Sequence, residues 1–105
     1  MPRLDRQLEQ FLLGTAVEIN VKLRVPTASS CIITIQDSTQ NNKVTNAPMI
    51  KKADYMYTYV FQSDSLWDYG VYVMTIKTTY ADKTGVAQYA IEMLDQNAYA
   101  FSRNN

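Results

Sequence analysis

The segment Asp68-Tyr69-Gly70-Val71-Tyr72 constrains the fold of this chain more than any other, because an Asp-x-Gly-x-Tyr turn stands directly before a long alternating run. Such a turn suits a sharp crossing between two packed sheets, where Gly70 takes backbone angles closed to residues with a Cβ. Tyr72 then packs its ring between the sheets while its hydroxyl returns to a backbone group a few residues upstream, satisfying a group that burial would otherwise strand. Asp68, Gly70 and Tyr72 are therefore expected to form a tyrosine corner.

The rest of the chain reads as strands. From Ala16 to Val25, Val17, Ile19, Val21, Leu23 and Val25 alternate with Glu18, Asn20, Lys22 and Arg24, the pattern of a half-buried strand. Pro26 to Ser30 breaks it, and Cys31, Ile33 and Ile35 resume the inward pattern until Asp37 opens a polar loop through Asn42. Lys43 to Ile50 reads as one weaker strand at a sheet edge, since Pro48 cannot donate to a ladder and Lys51 and Lys52 suit an edge. Tyr55 to Phe61 follows, with either its tyrosine face or its Met56, Thr58 and Val60 face inward. After the corner, Tyr72, Met74, Ile76, Thr78 and Tyr80 share one face. A hairpin loop spans Ala81 to Gly85, and Ala87, Tyr89, Ile91 and Met93 point inward from the last strand.

Six strands at regular spacing with a corner before the fifth resemble the immunoglobulin-like β-sandwich domains of tailed-virus structural proteins and prokaryotic surface proteins. The resemblance covers roughly Thr15 to Met93, rests mainly on Asp68, Gly70 and Tyr72, and implies an all-β antiparallel sandwich. Strand A is missing from the pattern. The B–F disulfide and strand-C Trp of antibody domains are also absent, so Val21, Ile33, Met74 and Ile91 must fill the core centre. The chain divides into an N-terminal arm at 1–14, the sandwich at 15–94 and a C-terminal tail at 95–105.

Composition narrows the chemistry. Ten basic and ten acidic residues cancel, which speaks against nucleic acid and anionic membranes as partners. The chain has no His, hence neither the usual general base nor the commonest metal ligand, and the lone Cys31 reads as a small buried hydrophobe. Asp64 and Asp68 read as turn residues, and Asp37, Asp82 and Asp95 lack the dense spacing of a calcium loop. No catalytic, cofactor or metal residues are nominated, and no enzyme is expected.

The ends carry the remaining signals. Leu4, Leu8, Phe11 and Leu12 fall at the spacing of one helical face between Pro2 and Gly14, so the arm is either a short helix or the missing strand A. Tyr99 and Phe101 alternate in the tail and suit strand addition. These six residues are the expected contacts with other protein subunits in a homo- or hetero-oligomeric assembly. The reading they support is a small virion component such as a capsid decoration, neck or tail-associated subunit. The alternative is a surface-adhesion or carbohydrate-binding module using exposed tyrosines with Asn41 and Asn42. Asp5, Arg6 and Glu9 interrupt any secretory signal and no stretch suits a bilayer, so a virion or cytoplasmic location is expected.

Overall fold

A computed structural model describes residues 8–95 as eight strands without a helix: β1 (Gln10–Leu12), β2 (Ala16–Lys22), β3 (Ser30–Gln36), β4 (Asn42–Pro48), β5 (Ile50–Ala53), β6 (Met56–Gln62), β7 (Gly70–Tyr80) and β8 (Lys83–Leu94). They form a five-stranded sheet in the order β1-β8-β7-β3-β4 and a three-stranded sheet in the order β2-β6-β5. The expected all-β immunoglobulin-like sandwich is present. Every pairing is antiparallel except that of β1 with β8.

Alternation decides the core. Ile33 and Ile35 of β3, Tyr72, Met74 and Ile76 of β7, and Ile91 and Met93 of β8 meet Val17 and Val21 of β2 and Tyr57 and Phe61 of β6. The tyrosine face of β6 is thus the inward one, and Val60 lies out in solvent. Leu13, Cys31 and Met49 complete the core, so four sulfur-bearing side chains, counting Met74 and Met93, are buried in it. Burial pushes the Cys31 thiol above its ordinary pKa, against a weaker opposing bond to Thr78. The thiol is inert accordingly.

Two local expectations change, and one left open is decided. Residues 43–50 are two strands rather than one: β4 is the edge of the larger sheet, Met49 turns inward between the layers, and β5 is the edge of the smaller sheet. The loop between β7 and β8 is only Ala81-Asp82, with φ of 50° and 61°, and Gly85 lies within β8. That is the left-handed conformation at both central positions which the twist of a two-residue hairpin demands. Of the two readings of the arm, its described part takes the strand, since Gln10–Leu12 is extended and pairs with Glu92–Leu94. Backbone bonds to β8 and the packing of Phe11 against the core outweigh a periodicity too short to stand alone as a helix. No helix of the described residues is long and apolar enough to cross a membrane.

Candidate functional site

The two layers differ in reach. β7 and β8 run for 11 and 12 residues, whereas β2 and β6 stop at seven each, so the β7–β8 hairpin overhangs the smaller sheet. Its inward face continues past the point where an opposing strand would cover it. The result is a trough of about 650 Å³ between the hairpin and Val21–Val25, with Ile76, Tyr80, Ala87 and Tyr89 on its walls. Val86 and Tyr89 remain 61% and 45% exposed. A smaller cleft lined by Ile19, Tyr89 and Ile91 continues the seam toward the other end.

Two strand edges border this seam. β2 pairs only with β6, and β8 upstream of Glu92 pairs only with β7 among the described residues. The direction of its free groups follows from the paired part. Glu92 donates its amide to the Glu9 carbonyl, and the Leu94 carbonyl accepts from Leu13, both at 2.9 Å. Even-numbered residues of β8 therefore present their backbone groups to this edge, and Thr84, Val86, Gln88 and Ala90 do so with no strand beside them among the described residues. An edge with an apolar floor is a template for another strand.

Charge is also uneven. Lys43, Lys51 and Lys52 stand within 4 Å of Asp37, Asp54 and Glu18 respectively, at 3.6, 2.9 and 3.2 Å. Lys22, Arg24, Lys77 and Lys83 have no such partner among the described residues, and all but Lys77 line the trough.

At the opposite end of β7 the polar groups are tied together. Gly70, at φ +128°, brings its backbone against Ser38, where an added Cβ would lie 2.7 Å from the Ser38 Cβ. The Tyr72 hydroxyl donates to the Asp68 carbonyl at 2.6 Å, and burial, then the charges of Asp37 and Asp68, push its pKa up to about 12. Asp37 is 3% exposed and accepts bonds at Oδ1 from the Thr39 and Asn41 amides and the Thr39 hydroxyl. Its Oδ2 has no hydrogen-bond partner and faces the Lys43 ammonium, which lies 4.8 Å from the Trp67 ring centroid. Burial raises the Asp37 pKa, but the bonds from Asn41 and Thr39 and the Lys43 charge outweigh it and hold the carboxyl below its ordinary value. This cluster closes the sandwich.

Of the residues nominated from the sequence, Asp68, Gly70 and Tyr72 come together at that closed end. Leu8 is exposed, Phe11 packs on the core and Leu12 is half-buried on β1. Leu4, Tyr99 and Phe101 lie outside the described residues. The sequence presents the trough residues as ordinary strand and hairpin-loop positions, and their only separate signal is the length of the run around Tyr72 to Tyr80. Among the described residues no three or more of His, Cys, Asp or Glu gather into a group able to hold a metal ion.

No family model matches the chain, and no curated protein matches it. Among solved structures it is similar to CopC from Methylosinus trichosporium OB3b, with a TM-score of 0.56 and 15% identity over 84% of each chain. At that identity the likeness is one of fold. It nonetheless corrects the functional expectation, because the matched sandwich is CopC and not a tailed-virus structural protein or a surface-protein domain. The virion-component reading falls, and the virion or cytoplasmic location inferred with it falls too. The adhesion or carbohydrate-binding alternative gains nothing from the match.

Proposed function

We propose that this chain is a non-catalytic binding module that receives an extended segment of a protein partner in the trough beside β8. The observation that carries this reading is the coincidence of an apolar trough with backbone groups along its rim that have no strand beside them among the described residues. A small apolar molecule would satisfy the walls and leave Thr84, Val86, Gln88 and Ala90 unpaired at the edge. A strand satisfies both, through its ladder and through alternate side chains directed inward. Gly85, Ala87 and Tyr89 are the inward positions of β8 along the trough, which calls for apolar side chains at three alternate positions of the ligand.

The test uses the blocked peptide Gln-Thr-Val-Thr-Val-Thr-Val-Gln and amide hydrogen exchange of the full chain. Binding is expected to slow exchange at Thr84, Val86, Gln88 and Ala90, and Ala87→Glu is expected to abolish binding by placing a carboxylate on the trough wall. No binding, or binding that leaves those four amides unchanged, refutes strand addition.

A further inference from the structure

Every other strand edge among the described residues is guarded. β1 has only three residues, β4 departs from a regular ladder at two register shifts and ends in Pro48, β5 has four residues and carries Lys51 and Lys52, and β2 carries Glu18 and Lys22. Shortness, irregularity, proline and charge are the devices by which edges avoid pairing with copies of themselves. β8 lacks all of them along its unpaired edge. No charged residue and no proline falls between Lys83 and Glu92, and a chain of zero net charge adds no repulsion between copies.

The edge also has a symmetric register. Thr84, Val86, Gln88 and Ala90 present their backbone groups to it, bounded by the Ala81-Asp82 turn at one end and by the Glu9 carbonyl on the Glu92 amide at the other. Antiparallel pairing with a second copy uses all four only when Thr84 meets Ala90 and Val86 meets Gln88, which puts a twofold axis through Ala87. Ala87 then stands opposite its own copy at a pair without hydrogen bonds, where side chains approach closely and a small one is needed. Tyr89, 45% exposed, stands opposite Gly85 of the second copy, and an added Cβ at Gly85 meets nothing within 4 Å.

We infer that the segment received beside β8 is β8 of a second copy, the two larger sheets joining edge to edge across a twofold axis at Ala87. This rests on the strand-addition reading and names its partner. In the dimer each Tyr89 ring covers the open space over Gly85 of the other chain, as aromatic residues cover glycines in paired strands. The contact is isologous, so it closes at two copies and does not propagate.

The first readout is light scattering after size exclusion of the full chain, expected at twice the 12.0 kDa of one chain. Ala87→Cys under mild oxidation is expected to form a covalent dimer, because Cα atoms about 4.5 Å apart at such a pair suit a disulfide. Gly85→Cys and Tyr89→Cys are each expected to stay uncrosslinked alone and to crosslink when mixed. The native Cys31 is buried and leaves these readouts clear. Excess Gln-Thr-Val-Thr-Val-Thr-Val-Gln is expected to turn the dimer into monomers, since both claim one edge.

A chain that stays monomeric up to about 1 mM overturns the second-copy inference. If that monomer binds the peptide with slowed exchange at the four edge amides, strand addition stands; if it does not, both readings fall. A dimer in which Ala87→Cys does not crosslink, or one that binds peptide and stays intact, is joined on another surface and overturns the inference as well.

Discussion

β7 joins two ends of one sandwich that treat the same kinds of residue in opposite ways. At its start, the Phe61 ring packs at a tilt against Trp67 and Tyr72, with centroids 5.8 and 6.2 Å away, and Asp37, Lys43 and Asp68 are tied by bonds or charge to neighbours. At its finish Tyr80 stands half in solvent, and among the described residues Lys22, Arg24 and Lys83 have no carboxylate partner and the β8 edge has no strand beside it. The closed end fixes the architecture. The open end is where a partner has something to add.

The largest expected effect compares Phe61→Ala with Val86→Ala. Phe61 is 1% exposed between Trp67 and Tyr72, so removing its ring should cost about 3–5 kcal/mol. Val86, on the overhang, should change stability by no more than about 0.5 kcal/mol. Denaturant midpoints check both, and comparable losses would erase the distinction between the ends.

A smaller effect concerns the crossing itself. Gly70→Ala places a side chain at φ +128° and against Ser38, so destabilisation of at least about 1–3 kcal/mol is expected. The same substitution at Gly85, where an added Cβ meets nothing within 4 Å, should be mild. A thermal shift for the pair gives the answer, and a harmless Gly70→Ala would show that the crossing relaxes.

The smallest effect is a pH dependence. The folded Asp37 carboxyl sits below its ordinary pKa, so its contribution is present above the unfolded value of about 4 and is lost as pH falls through the folded value. Native chain and Asp37→Asn should therefore converge in stability on acidification. A gap that stays constant to the acid limit would mean that the ionised carboxylate does not stabilise the closed end.

These comparisons also explain what the sequence made legible. Alternation in Val17 to Val21, Cys31 to Ile35 and Tyr72 to Ile76 marks strands because burial on one face has a period of two. Pro48 and Lys51 mark edges because an edge tolerates a missing donor and a charge. Met49 hides a change of sheet, since a side chain pointing between the layers keeps the same parity on either side of it. Leu8, Phe11 and Leu12 suit a helix by spacing alone, and pairing with β8 settles Phe11 and Leu12 otherwise. The trough was illegible for a related reason. Val25, Ala87 and Tyr89 alternate as core residues do, and only the shorter reach of the opposite sheet leaves them uncovered.

The sulfur atoms buried between the sheets have an oxidative consequence. Thioethers fill irregular space well because they are flexible and polarisable, but a sulfoxide oxygen in the same place needs a hydrogen-bond donor that an apolar interior lacks. Met74 and Met93, at 1% and 0% exposure, are shielded only while the sandwich is shut. Each opening presents them to oxidants, and a methionine oxidised in that interval resists being packed again. The interior thus keeps a chemical record of how often the protein has opened.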